Sequence, residues 1–206
     1  MRTELRDDSG RLLQLESEPA TDADVAEAAA AGLRLVRCIQ QLRVPLPLPH
    51  ADPELTTRVF VPGQDDNEFL RVNNRAFEWH PDQSNWTKTE LNARIQEPWF
   101  DPNGFLLHEI DGVLAGFCWT KIHPATDTDP ELGEIFVIAV DPDFHGKGLG
   151  RALTLAGLNS LAARSVEVGM LHVEHNNLAA QTLYRDLGFV EHDSHCWWAL
   201  DDGQPS

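Results

Sequence analysis

The 206 residues carry 33 Asp and Glu against 16 Lys and Arg, a formal net charge of −17 at pH 7. Such a surface repels phosphate backbones and anionic bilayers, which excludes general nucleic-acid binding and membrane-surface attachment as expectations. No apolar run approaches the roughly 18 residues of a membrane span, the start lacks the basic-then-apolar order of a signal peptide, and Cys38, Cys118 and Cys196 are too widely spaced for a disulfide framework or a zinc motif. The expectation is a cytoplasmic, acidic, monomeric globular protein without a metal.

In chain order, residues 1–20 are polar with one apolar alternation, RLLQLES, which reads as a strand. TDADVAEAAAA at 21–31 reads as a helix capped by Thr21 or Asp22 and stopped by Gly32. The strand-like LRLVRCIQQLRV follows. PLPLPHADP then breaks the pattern, because proline cannot donate to a sheet ladder. These signals divide the chain into residues 1–50, a linker at 51–64, and a main domain at 65–206. Residues 1–64 hold 7 basic and 10 acidic residues, net −3, so most of the charge lies in the main domain.

Within that domain, Asp65 or Asp66 caps a helix through EFLRVNNRAF. Thr87 and Glu90 have capping-box spacing for a second helix ending near Ile95. GFLLHEI, the turn Asp111–Gly112 and VLAGFCWTKI predict a hairpin. LGEIFVIAV is the continuous apolar run of a strand buried on both faces. A helix, a short strand, the helix NLAAQTLYRDL stopped by Gly188, and a last strand complete an order that argues for an α/β domain with a mixed central sheet flanked by helices.

The most informative segment is Val140-Asp-Pro-Asp-Phe-His145-Gly146-Lys147-Gly148-Leu149-Gly150-Arg151. A strand ends in an Asp-Pro turn, three glycines alternate, and a helix begins. Glycines permit positive φ and close ligand approach, and a helix start offers unpaired N–H groups to an anion. The spacing fits neither a dinucleotide-binding fingerprint nor a P-loop. A pyrophosphate cradle of another type remains, beside the bland reading of a simple strand-to-helix turn.

V-x-P-x-x-[QR]-x-x-G-x-G followed by a helix resembles the acetyl-CoA motif of GCN5-related N-acetyltransferases (GNATs), with His145 standing where Gln or Arg is usual. The resemblance implies the GNAT acyl-CoA N-acyltransferase fold and acetyl-CoA as acetyl donor. It places the backbone of Ile138, Ala139 and Val140 against pantetheine, and His145, Gly146, Lys147, Gly148, Leu149, Gly150 and Arg151 around the pyrophosphate. Asn176 to Phe189 matches the second half of the signature, N-x-x-A-x-x-x-Y-x-x-x-G-F. That puts Asn177, Leu178, Ala179, Ala180, Gln181 and Thr182 near coenzyme A and makes Tyr184, the single tyrosine, the general acid.

Three further segments, FEWHPDQ at 77–83, EPWFDP with GFLL at 97–107, and GFCWTKIH at 116–123, together with Gly133-Glu134, are similar to the mycothiol synthase branch. Its members acetylate the cysteinyl amine of desacetylmycothiol and have two tandem acetyltransferase domains. The resemblance implies Glu134 as catalytic base and substrate contact. It implies Asp82, Lys121 and His172 as further substrate contacts, His172 where tyrosine is usual and Asp82 where Glu is common. Residues 1–50 then resemble the end of an N-terminal acetyltransferase-like domain.

The chemistry suits these residue types. An α-amine with a pKa near 8 has to shed a proton to attack a thioester, and a carboxylate can accept it. The oxyanion needs a donor such as the strand amide near Ile138. A phenol with a pKa near 10 can protonate a departing thiolate. A GNAT acting on another small amine or a protein N-terminus, and a non-catalytic acyl-CoA-binding remnant, remain open alternatives.

Overall fold

The computed structural model describes residues 1–49, 55–78 and 85–200. The chain divides into two compact units, one of Pro45–Met170 and one of Met1–Val44 with Leu171–Ser206. Asp82 and His80, singled out from the sequence, lie outside the described residues.

The smaller unit contains β1 (Arg2–Arg6), β2 (Leu12–Ser17), α1 (Asp22–Ala30) and β3 (Arg34–Pro45) up to Val44. The chain's second segment adds α5 (Leu178–Asp186), β9 (Val190–Ala199) and the end of β8 (Val168–Glu174). Antiparallel pairing runs β1 to β2, β2 to β9 and β9 to β3. The N-terminal strands therefore share a sheet with the last strand of the chain. The helix α1 is closed by a capping box of Thr21 and Asp24, and it covers a core of Leu12, Leu15, Ala28, Leu33 and Trp198. In that core Cys38 and Cys196 are opposite residues of β3 and β9 and are joined as a disulfide. Their 158-residue separation conceals this from sequence spacing, so the expectation that the cysteines stand unpaired is corrected.

The larger unit contains β4 (Arg58–Val59), α2 (Asp66–Ala76), α3 (Lys88–Ile95), β5 (Phe105–Ile110), β6 (Val113–His123), β7 (Leu132–Val140) and α4 (Leu149–Ala162). Antiparallel ladders join β4 to β5, β5 to β6 and β6 to β7. The β5–β6 turn has Asp111 at φ 52° and Gly112 at φ 77°, two left-handed residues as a two-residue hairpin needs.

One face of this sheet carries an aromatic core. Phe105 stacks on Phe60 and on Trp119, each at 4.3 Å between centroids, and Phe69 from α2 meets Phe105 edge-on at 5.1 Å. Such pairs add about 0.5–1.5 kcal/mol each beyond their buried area. On the other face α4 packs closely. A Cβ at Gly157 would lie 2.4 Å from Cys118 Sγ and 2.7 Å from Ile135 Cδ1, so only glycine lets the helix sit this near. Burial pushes the Cys118 thiol up to about 12, which leaves it neutral and unreactive near pH 7.

Candidate active site

The strand β7 carries most of the chemistry, and its register explains how. Trp119 on β6 faces Val137, whereas Thr120 faces Ile135, so Phe136 has no opposite residue. This is a β-bulge, which bends a strand and re-aims its side chains. Just before the bulge, Glu134 stands directly across from Lys121. Two residues beyond Lys121, His123 projects on the same face by the period-two geometry of a strand.

These three residues form one polar cluster above an aromatic floor. Glu134 is only 8% exposed, and its Oε2 lies 2.7 Å from Nε2 of His123. The Lys121 ammonium sits 4.8 Å from the Trp99 ring centroid and 5.7 Å from that of Phe136. Trp99 in turn meets Phe136 at 5.0 Å and Trp119 at 5.8 Å. A buried carboxylate is costly unless hydrogen-bonded or paired, and His123 supplies such a partner. The arrangement can hold a base beside apolar walls, with a cation next to it.

At its C-terminal end β7 feeds the glycine loop, and the junction is pinned. Asp141 is fully buried and receives Arg71 and Arg75 from α2, with Arg75 Nη1 at 2.9 Å. Arg75 also binds Asp143, whose carboxyl it holds below the usual range. Breaking a buried ion pair by removing one partner costs about 3–5 kcal/mol, discounted here because both arginines are partly exposed. This clasp was not visible in the sequence, although two arginines four residues apart on one helix face were a signal.

Beyond the clasp the backbone turns twice through left-handed φ, at Gly146 and Gly148, both 76°. Gly148 is the N-cap of α4, makes no side-chain cap and is followed by no acidic residue in the first turn. The N–H groups there lie on an exposed loop with the exposed cations Lys147 and Arg151 beside them. Its chemistry fits a pyrophosphate. His145 behaves differently from its neighbours: its Nε2 lies 3.0 Å from the Val140 carbonyl. With that nitrogen engaged, a phosphate contact from this residue falls to Nδ1 or to the backbone.

Ile138, Ala139 and Val140 form the end of β7, and the smaller unit holds His172 and the sequence-predicted residues of α5 with its cap. Asn177 caps α5, its Oδ1 accepting from Ala180 N at 3.2 Å. Gln181 Nε2 donates to the His175 carbonyl at 2.6 Å and to Gln40 at 3.0 Å, while the Thr182 hydroxyl donates to the Leu178 carbonyl. The Gln181 and Thr182 side chains thus have local structural partners, and Leu178 is exposed. Tyr184 is 8% exposed with its ring 5.6 Å from Phe189. His172 is exposed, lies 3.4 Å from Gln41, and lines a hollow of about 230 Å³ with Asp193 and His195. Among the described residues no group of three or more His, Cys, Asp and Glu could hold a metal ion, and no helix is long and apolar enough to cross a membrane.

The acetyltransferase (GNAT) family matches residues 73–189. The chain is 43% identical over 200 residues to the mycothiol acetyltransferase of Thermobispora bispora, covering 95% of this chain and 66% of that protein. It is 49% identical to the one from Thermomonospora curvata, covering 81% and 56%. It is 44% identical to the one from Segniliparus rotundus, covering 86% and 68%. The chain therefore spans between about half and two thirds of the length of these relatives. Among solved structures, a GCN5-related N-acetyltransferase from Sphaerobacter thermophilus matches with a TM-score of 0.70 at 24% identity, covering 90% of this chain and 58% of that one. The ribosomal-protein-S18-alanine N-acetyltransferase of Escherichia coli matches at 0.52, covering 73% and 96%. These likenesses establish the fold expected from the sequence.

Proposed function

The chain belongs to the GNAT acetyltransferase family, and from that premise we propose that it transfers an acetyl group from acetyl-CoA to the cysteinyl amine of desacetylmycothiol. The observation that carries the reading is the buried Glu134 on the strand that leads into the uncapped helix start of α4. The identities with mycothiol acetyltransferases support the choice of amine. We assign the chemistry to residues 65–206 and a cytoplasmic setting, where acetyl-CoA is made.

His145 to Arg151 hold the pyrophosphate of acetyl-CoA, whose thioester supplies an acyl carbon open to attack and a thiolate able to leave. Lys121 and His172 bind the polyhydroxylated substrate, with Asp82 as a further contact. Glu134 takes the proton that the attacking amine has to lose. The amide of Ile138 donates to the oxyanion. Tyr184 gives its proton to the departing sulfur.

Release of coenzyme A thiol, measured with desacetylmycothiol and with a panel of other amines, tests the assignment. Glu134→Gln and Tyr184→Phe should each lower kcat by about 10²-fold or more. A Tyr184→Phe change below twofold removes the tyrosine from its role. Faster turnover of a polyamine or a peptide N-terminus than of desacetylmycothiol overturns the substrate.

A further inference from the structure

The mechanism leaves a gap at Glu134. A base 8% exposed accepts a proton in every turnover and has to return it to solvent before the next. We infer that His123 is the group that does this, a positioning and proton-relay residue acting through Glu134. The inference rests on Glu134 being the base.

Three observations carry it. The His123 Nε2 lies 2.7 Å from Glu134 Oε2, within the reach of a direct proton transfer. The two side chains differ in access, 33% exposed for His123 and 10% for Glu134, so the imidazole bridges a buried atom and water. The unbroken register from Thr120 opposite Ile135 to His123 opposite Leu132 sets the pair, since it makes Glu134 and His123 diagonal neighbours on one face of the ladder. Histidine is the side chain whose ordinary pKa lies in the range where it can both take and release a proton near neutrality.

The step balances as follows. The amine nitrogen forms its bond to the acyl carbon and becomes cationic, and one N–H proton passes to the Glu134 carboxylate. Exchange with water at the part-exposed ring moves the imidazole proton from Nε2, where it faces the resting carboxylate, to Nδ1, and the carboxylic acid then passes its proton to Nε2. The resulting imidazolium releases its Nδ1 proton to water, which leaves Nε2–H as the donor facing the carboxylate, the state from which the cycle began. Glu134 is again a carboxylate, and one proton has moved from substrate to solvent.

The other charges around the pair are identifiable. Lys121 faces Glu134 from β6 and is held over Trp99 and Phe136. The β6–β7 connection carries Asp127, Asp129 and Glu131. On the opposite face Arg164 is bound to Asp101 and Thr120.

The experiment compares steady-state acetylation of desacetylmycothiol by the wild type, His123→Ala, His123→Gln and Glu134→Gln. His123→Ala should lower kcat about tenfold, a part of the contribution of a general base, with the KM for acetyl-CoA unchanged. Added imidazole should restore much of that loss. His123→Gln keeps a hydrogen-bond donor toward Glu134 but cannot relay a proton, so it should remain as slow as His123→Ala. The acidic limb of kcat/KM should move to higher pH in His123→Ala, because the carboxylate loses a donor that favours its charged form.

Full activity in His123→Gln, or no response of His123→Ala to imidazole, reduces His123 to a structural contact and overturns the relay. Normal activity of His123→Ala beside an inactive Glu134→Gln does the same while leaving the base in place. Normal activity of Glu134→Gln, or a wild type that acetylates no amine, overturns the base assignment and the relay with it.

Discussion

Helices α3 and α4 lie in the same unit and begin in opposite ways. α3 closes on itself: the Thr87 hydroxyl accepts from the Thr89 amide, and Glu90 reaches back to the Thr87 amide at 2.9 Å. The Thr87 hydroxyl and the backbone amides hold the Glu90 carboxyl below its ordinary range. α4 starts on Gly148 with no side-chain cap, no acidic first turn, and Lys147 and Arg151 on either side. Both helices leave about four N–H groups without intrahelical partners. The chain supplies its own acceptors to one and withholds them from the other. A cap stabilises a helix by about 1 kcal/mol, so an uncapped start flanked by cations makes sense where an external anion completes it.

The sharpest way to break that contrast is to give α4 a carboxylate. Gly148→Asp should weaken coenzyme A binding about 100-fold, measured by titration calorimetry, because a fixed negative charge competes for the amides and repels the pyrophosphate. Aspartate and asparagine both tolerate the left-handed backbone, so Gly148→Asn separates charge from shape. It should lose only about threefold, and the gap between the two variants should narrow as salt is raised. Equal losses for Asp and Asn would show that the glycine serves the turn alone. Gly148→Ala comes next in size. Nothing lies within 4 Å of the added Cβ, but φ at 76° costs about 1–2 kcal/mol for alanine, so binding should weaken about fivefold to tenfold.

The same contrast shows what can be read from sequence. Local chemistry was legible: the Thr87–Glu90 box, the Asp111–Gly112 turn, the glycine loop and Gly188 as a helix stop all follow from a few adjacent residues. Pairing across strands was not. The disulfide of Cys38 with Cys196, the bulge at Phe136 and the contact of His123 with Glu134 each depend on the register between strands. The exposed strand β1 and the two-residue β4 carry too little apolar pattern to announce themselves. Glu134 was visible as a carboxylate in an apolar strand, while its partner on the next strand was not. Asp141 read as part of an Asp-Pro turn, and only the packing of α2 reveals it as the anchor of the loop.

The opposite manipulation, opening the helix that closes itself, should affect stability and spare function. Thr87→Ala removes the hydroxyl acceptor and frees Glu90 from its reach-back contact. Chemical denaturation should register a loss of about 1 kcal/mol. Coenzyme A affinity should stay within twofold of the wild type. If binding fell with stability, the start of α3 would belong to the ligand site as well, and the division between the two helices would fail.

Helix α2 begins in a third way and gives the smallest effect. Its N-cap Asp65 makes no cap bond; its carboxylate binds Arg58 at 2.7 and 2.9 Å and accepts from Val61 N. Arg58 also reaches Glu109. The Arg58 hydrogen bonds hold the Asp65 carboxyl below its ordinary value, against the opposing effect of burial. A carboxyl depressed on folding adds stability that is present above its unfolded pKa, near 3.9, and disappears as pH falls through the folded value. Arg58→Met should therefore be less stable than the wild type at pH 7, by about 1 kcal/mol or less because Arg58 is well exposed. The two denaturation curves should converge as pH falls through the lowered folded value of Asp65, where its carboxyl is neutral in either protein. A difference that persists unchanged to low pH would mean that the arginine stem, through packing, and not its charge, steadies the start of α2.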